Sequence, residues 1–142
     1  MPRSLLRAIP LLAVMGVIFF LSHQPHLSFD LEVSHQDKIF HAIVYAVLAA
    51  STLFALSPSG KGCVFFGLSA RNRSRSRLIL TGLCVVFFCL LYGISDEFHQ
   101  SFIPGRECSL LDVAADTAGA VIVVSLWLFF RVKDDSIGVF QE

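Results

Sequence analysis

Four long apolar segments constrain what this chain can fold into. They cover residues 5–21, 39–56, 78–94 and 110–130. A helix that crosses a bilayer needs about 20 apolar residues, within a range of about 17–25, so each segment is long enough. The segments lack the in–out alternation of a membrane barrel, and backbone groups in lipid must pair within their own segment. The sequence therefore predicts an all-α integral membrane bundle of four transmembrane helices, with a short tail at residues 131–142.

The composition supports this class of protein. Charged residues make up 15% of the chain and hydrophobic residues 55%, whereas soluble domains carry about 25% charged residues. Eleven basic residues balance eleven acidic ones, and a nucleic-acid-binding protein normally shows a basic excess. We therefore expect membrane lipid as a partner and no nucleic acid. The first segment also resembles a signal peptide, but residues 22–26 contain no small-x-small cleavage site, which favours an uncleaved helix.

The basic residues predict the orientation of the helices. Nine of the eleven lie before the first segment, between the second and third, or after the fourth: Arg3, Arg7, Lys61, Arg71, Arg73, Arg75, Arg77, Arg131 and Lys133. Only Lys38 and Arg106 lie on the opposite side. The positive-inside rule places both termini, and with them the tail, in the cytoplasm. The basic run at residues 71–77 is interpreted as setting topology and contacting anionic headgroups.

The opposite, outer side collects most of the reactive side chains. All five histidines lie there: His23, His26, His35, His41 and His99. Eight of the eleven acidic residues do so too: Asp30, Glu32, Asp37, Asp96, Glu97, Glu107, Asp112 and Asp116. The orientation was assigned from Lys and Arg alone, so this clustering is an independent observation.

The second helix carries a polar stripe. Ser34 and Asp37 have the spacing of a capping box at its start. Asp37, His41 and Tyr45 then recur at i, i+4 and i+8, which places them on one face of a helix that is otherwise apolar. Lys38 lies beside this stripe and can pair with acidic groups.

The end of the third segment has a similar pattern. If the helix continues past residue 94, Tyr92, Asp96 and Gln100 share one face. Glu97 and His99 then lie on other sides of that helix.

The fourth helix begins with a second capping-box pattern, Ser109 followed by Asp112. Asp116 lies one turn further along, about 6 Å deeper in the membrane. Gly119 continues this face, and small residues there allow another helix to approach closely.

Two helix N-termini therefore open onto the outer side, each with positive dipole character. Pro104 and Gly105 have the order of a type II turn, which brings Arg106 close to the membrane surface. Lys38 and Arg106 beside two helix N-termini form a combination that can receive an anion. As an alternative, the adjacent carboxylates and histidines could hold a metal or move protons, although Lys38 and Arg106 favour the anion over a bare metal site.

Three runs in this region resemble the VanZ-like family: Asp37-Lys38-x-x-His41-x-x-x-Tyr45, Ser95-Asp96-Glu97-x-His99-Gln100-x-x-x-Pro104-Gly105-Arg106, and Asp112-x-x-x-Asp116-x-x-Gly119. The resemblance covers residues 9–130 and implies a small multi-pass protein of the bacterial inner membrane. The family is named after a protein linked to teicoplanin resistance, so a role in the cell envelope is expected. The chain departs from the family at Asp116, where the family often has Asn, which argues against a strictly charged role there.

Three functions remain open from the sequence. We expect the outer ends of the second, third and fourth helices to form a shared polar pocket. This pocket binds an anionic lipid or a cell-wall precursor, or it forms an enzyme site, or it only holds the helices together as a scaffold. The candidate catalytic residues are His41, Glu97 and Asp116, and no metal or cofactor is assigned. The expected ligand-binding set is Asp37, Lys38, His41, Tyr45, Asp96, Glu97, His99, Gln100, Arg106, Asp112 and Asp116.

Each of these residues also has a structural explanation. Asp37 and Asp112 are explained as capping residues. Asp116 would be held by a hydrogen bond to Tyr92 or His41. For Arg106, the alternative to ligand binding is a salt bridge to a nearby carboxylate, Asp96, Glu97 or Asp112.

Overall fold

The computed structural model describes residues 3–25, 36–56, 75–106 and 108–138. All regular structure in these ranges is α-helical. The four helices are α1 (Arg3–Ser22), α2 (Gln36–Leu56), α3 (Arg75–Gln100) and α4 (Leu110–Gly138). Each is long and apolar enough to cross a membrane. The predicted all-α class and the four apolar helices are confirmed.

Two helices are longer than the apolar segments that predicted them. The third segment ends at Ile94, but α3 continues to Gln100 because Asp96, Glu97 and Gln100 are buried in the bundle. The fourth helix extends to Gly138, so most of the predicted tail is helical. Ser34, the predicted cap of the second helix, lies outside the described residues.

The helix α2 contacts each of the other three helices. It packs most extensively against α4, while α1 packs on α2 and α3. Tyr45, Leu48, Val85, Cys89 and Ala120 are almost completely buried at the centre. The core is therefore built mainly from α2, α3 and α4, with α1 completing one side.

The outward surface of the bundle is apolar on every helix. Phe20, Leu83, Phe87 and Phe129 are each about 60% exposed. A soluble monomer rarely exposes such a continuous apolar surface. The surface matches the lipid environment that the composition predicts.

The closest approach in the bundle is where α2 crosses α4. A Cβ atom on Gly119 would lie 2.8 Å from the carbonyl carbon of Ala42 and still nearer to its oxygen. Backbone atoms cannot rotate away as a side chain can, so only glycine fits at this position. The predicted role of Gly119 in close helix packing is confirmed.

A tight turn connects α3 to the beginning of α4. The N–H of Arg106 donates to the carbonyl of Ile103 at 3.1 Å, and Gly105 has a φ of 83°. These are the features of a type II turn with proline and glycine at its two central positions. The turn predicted from Pro104 and Gly105 is confirmed.

The bundle has two chemically different ends. At one end, here called the polar end, α1 and α3 finish and α2 and α4 begin. At the opposite end, the guanidinium of Arg7 lies 5.6 Å above the centre of the Phe54 ring. Arg75, Arg77 and Arg131 also belong to that basic end.

Candidate functional site

A buried histidine–aspartate pair lies at the polar end, between α2 and α4. Nδ1 of His41 is 2.9 Å from Oδ1 of Asp116. The Asp116 side chain is completely buried, whereas that of His41 retains 14% exposure. His41 is thus the member of the pair that a ligand can reach. Of the two partners expected for Asp116, the structure selects His41.

Lys38 forms two ion pairs at the mouth of this region. Its Nζ lies 2.6 Å from Oδ2 of Asp37 and 2.8 Å from Oδ1 of Asp112. The Asp37 side chain is 57% exposed and that of Asp112 only 11%. Since exposed ion pairs contribute little to stability, the pair with Asp112 is the stronger constraint on Lys38.

Glu97 performs the capping function that the sequence assigned to Asp112. The N–H of Ser109 donates to Oε2 of Glu97 at 2.7 Å. In a capping box this N–H would bond to Asp112, but the Asp112 carboxylate is held by Lys38 instead. The predicted capping box at α4 is therefore wrong. A carboxylate from α3 thus accepts from the N–H of Ser109, the residue that precedes α4.

His41, Glu97, Asp112 and Asp116 form what we call the carboxylate–histidine cluster. One nitrogen of His41 and one oxygen each of Glu97 and Asp112 all lie within 4.8 Å of one another. Asp116 joins through its bond to His41. The sequence placed His41 and Asp116 on polar faces of two helices, whereas Glu97 joins them from a side of α3 that the helical pattern did not mark.

Among the described residues, two buried oxygen atoms of the cluster have no hydrogen-bond partner. They are Oε1 of Glu97 and Oδ2 of Asp116. Glu97 is only 2% exposed and Asp116 is fully buried. An uncompensated buried carboxylate is costly, so the cluster is arranged to receive a cation or a proton donor.

A second polar network faces α1 and is separate from the cluster. Ser22 donates to Oδ1 of Asp96 at 2.5 Å. Gln100 donates to both Ser22 and Asp96, at 2.8 and 3.1 Å. Tyr92 donates to the backbone carbonyl of Met15 at 2.8 Å. The predicted shared face of Tyr92, Asp96 and Gln100 exists, but it attaches α3 to α1.

Ser22 is a member of this network that the sequence analysis missed. A serine at the end of an apolar segment carries no periodic signal. Its partners are 74 and 78 residues away along the chain. Only the packing of α1 against α3 identifies it.

Arg106 does not contact the carboxylates that were expected as its partners. Its Nε donates to the carbonyl of Gln24 at 3.1 Å, and its Nη2 donates to that of Leu21 at 3.0 Å. The last carbonyls of a helix have no partner inside the helix and carry partial negative charge. The guanidinium therefore caps the C-terminal end of α1, and the predicted salt bridge is wrong.

His99 and Tyr45 also lie apart from the cluster's polar contacts. The His99 ring stacks on Phe19 at 4.8 Å between centroids and on His23 at 5.5 Å. The Tyr45 ring is buried, and its hydroxyl has no hydrogen-bond partner within the ranges that the structure describes. His26 and His35 lie outside the described residues.

One of three comparisons with known proteins identifies a family for the chain. No curated protein and no solved structure matches the chain significantly. The model of the VanZ/LLP1 family matches residues 8–131. This range contains all the residues of the cluster and the three motifs that suggested the resemblance. With four helices that can cross a membrane, the chain is a multi-pass membrane protein, and it belongs to the VanZ/LLP1 family.

Proposed function

We propose that the polar end binds an anionic group of an envelope lipid or a cell-wall precursor. We further propose that the protein acts on this group as a membrane hydrolase or transferase, with His41 as the general base. The observation that carries the proposal is the bond between His41 and the buried carboxylate of Asp116. A scaffold has no need for a partly accessible imidazole held in this way.

The bond to Asp116 gives the two ring nitrogens of His41 different roles. A carboxylate can only accept a hydrogen bond, so Nδ1 of His41 carries the proton in this pair. The other nitrogen, Nε2, is then left to accept a proton from a substrate or from water. Asparagine at position 116 would offer the same acceptor oxygen, which is consistent with the residue that the family often has there.

The polar end also has the means to attract an anion. The N-termini of α2 and α4 both open there, and each contributes partial positive charge. Lys38 lies in the first turn of α2, and its partner Asp37 is largely exposed. An incoming phosphate can therefore replace Asp37 at little cost while Asp112 keeps the ammonium in place.

We propose that the polar end faces the outside of a bacterial inner membrane. Among the described residues, Arg7, Arg75, Arg77 and Arg131 belong to the opposite end, as expected for the cytoplasmic side. A topology reporter fused after residue 133 should be active in the cytoplasm, and one inserted near residue 28 should be active outside. The reverse pattern would place the cluster on the cytoplasmic side and remove the envelope substrate.

Binding is tested with the purified full chain in detergent. Native mass spectrometry would compare phosphatidylglycerol and phosphatidic acid with uncharged diacylglycerol. We expect retention of the phosphate-bearing lipids and not of diacylglycerol. Lys38→Met should weaken this retention, because the ammonium that faces the phosphate is lost. Equal retention of all three lipids would contradict a specific anion site.

Turnover is tested in vesicles made from bacterial envelope lipids. Lipid mass spectrometry would follow the loss or transfer of a headgroup for wild type, His41→Gln and the matched control His99→Gln. We expect the reaction with wild type and His99→Gln, and at least a hundredfold loss with His41→Gln, as for removal of a general base. Equal rates for His41→Gln and wild type would refute the proposed base.

A second candidate function is binding without turnover. The two ion pairs of Lys38 favour this candidate, because an ammonium held by two carboxylates can bind an anion but offers no group for acid or base catalysis. Lipid retention by wild type with no headgroup change would select this candidate. In either case we propose an effect on glycopeptide susceptibility. The minimum inhibitory concentration of teicoplanin should rise on expression of wild type and not on expression of the Lys38→Met variant.

A further inference from the structure

We propose that His41, Glu97 and Asp112 form a binding site for one divalent transition-metal ion, Zn²⁺ or Mn²⁺. The three ligands come from three helices, α2, α3 and α4. This inference goes beyond the proposed function, because metal binding requires no lipid and can be measured without one.

The spacing of the ligand atoms is close to that of a metal site. One nitrogen of His41 and one oxygen each from Glu97 and Asp112 lie within 4.8 Å of one another. Bonds of about 2.0–2.2 Å in tetrahedral geometry separate ligand atoms by about 3.4 Å. The ligand atoms need to approach one another by about an ångström to reach this spacing.

Each proposed ligand has one of its two donor atoms engaged in a hydrogen bond, so we assign the metal to the other atom. Asp116 holds Nδ1 of His41, which leaves Nε2. The Ser109 N–H holds Oε2 of Glu97, which leaves Oε1. Known metal sites fix their histidine and carboxylate ligands in this manner through outer hydrogen bonds.

Lys38 plays the same part for the third ligand. Its ammonium holds Oδ1 of Asp112 at 2.8 Å, which leaves Oδ2. Since Lys38 also contacts the exposed Asp37, its charge is shared between two carboxylates. The ammonium therefore orients Asp112 without neutralising the cluster.

Glu97 provides the observation that points to a ligand independently of the spacing. Its side chain is 2% exposed, and Oε1 is buried with no hydrogen-bond partner in the described parts of the chain. A buried carboxylate oxygen in an apolar bundle needs a compensating charge. A cation bound among His41, Glu97 and Asp112 would supply it.

The mixed donor set indicates the class of metal. An imidazole nitrogen suits zinc and other transition metals, while carboxylate oxygens alone would suit magnesium or calcium. Three protein ligands leave at least one coordination position open, as in catalytic rather than structural zinc sites. A metal on Nε2 of His41 leaves that nitrogen no lone pair to act as a base, so the site is compatible with the lipid-binding part of the proposed function and takes the place of the general-base role. If lipid binding holds, the open position gives the phosphate group a positive charge to bind.

The experiment uses the purified full chain in detergent, with no added lipid. The protein is stripped with a chelator and equilibrated separately with Zn²⁺, Mn²⁺ and Mg²⁺. Bound metal is counted by inductively coupled plasma mass spectrometry after gel filtration. We expect one Zn²⁺ or Mn²⁺ per chain, a higher melting temperature with that metal, and weak or no retention of Mg²⁺.

Two variants of adjacent carboxylates on α3 form the matched comparison. Glu97→Gln keeps an acceptor oxygen for the Ser109 N–H but removes the charge, so its metal affinity should fall at least tenfold. Asp96→Asn lies in the network that faces α1 and should bind metal as wild type does. His41→Gln provides a second ligand variant if Glu97→Gln does not fold.

Two results would overturn the metal site. One is that the metal-stripped wild type takes up no stoichiometric Zn²⁺ or Mn²⁺. The other is that Glu97→Gln and Asp96→Asn bind the metal with equal affinity. Metal binding by a protein that retains no phosphate-bearing lipid would support the site and contradict the proposed function. If the metal-stripped protein retained phosphate-bearing lipids as well as the metal-bound protein does, lipid binding would be supported and the metal would have no part in it.

Discussion

Replacing Gly119 by alanine should separate α2 from α4 and disturb the cluster above the crossing. The added Cβ would meet the backbone of Ala42, with 2.8 Å to its carbonyl carbon. Neither backbone can yield locally, so the helices must move apart by roughly an ångström. His41 adjoins Ala42, and Asp116 lies less than one turn from Gly119, so their 2.9 Å contact lengthens as well.

The magnitude follows from two contributions. Overpacking a well-packed interface costs about 1–3 kcal/mol. Weakening a polar contact between membrane helices costs about 0.6–1.7 kcal/mol. The Gly119→Ala variant should therefore lose about 2–5 kcal/mol of stability, which is at least about a thirtyfold change in the unfolding equilibrium.

The assay is reversible unfolding in mixed detergent micelles, with two glycine variants as controls. A Cβ on Gly82 would meet the side chain of Val124, which can rotate. A Cβ on Gly16 would meet nothing within 4 Å. We expect Gly16→Ala to be neutral or slightly stabilising, Gly82→Ala to be mildly destabilising, and Gly119→Ala to be the worst. Equal stability of Gly119→Ala and Gly16→Ala would refute the backbone collision.

Three further substitutions test how single polar side chains contribute to stability, and each is measured by the melting temperature of the protein in detergent. Arg106→Lys should lower stability by about 1 kcal/mol, because one ammonium replaces the planar fork that binds two carbonyls of α1; unchanged melting would contradict this capping role. Ser22→Ala removes a donor from the buried Asp96 and should cost about 1–3 kcal/mol. Tyr45→Phe should leave stability unchanged or raise it, because the hydroxyl is buried without a partner among the described residues. A clear loss of stability would show that the hydroxyl does have a partner.

The sequence was sufficient to predict the position of a residue where a regular helical pattern determines which side of the helix it lies on. His41 and Asp116 lie on polar positions of two apolar helices whose N-termini meet at one end. A polar side chain in such a helix must face a partner rather than lipid. The sequence therefore limited the partner of Asp116 to Tyr92 or His41, and the structure identifies His41.

The sequence was insufficient where the partner was backbone or distant in the chain. Arg106 binds the carbonyls of residues 21 and 24, and every residue carries a carbonyl, so nothing in the sequence marks them. Glu97 takes the Ser109 N–H because the turn between α3 and α4 brings them together. The extent of α3 was underestimated because hydropathy falls at Ser95, although Asp96, Glu97 and Gln100 are buried by partners on other helices.

The cap on α1 has a consequence for the order in which the chain assembles during synthesis. The carbonyl of Leu21 is bonded by a guanidinium 85 residues later in the chain. Ser22 likewise waits for Asp96, which is 74 residues later. The C-terminal end of α1 thus stays without these partners until the ribosome has made the turn after α3. A nascent chain arrested before Asp96 should hold α1 loosely, and one that extends beyond Arg106 should cross-link α1 to α3.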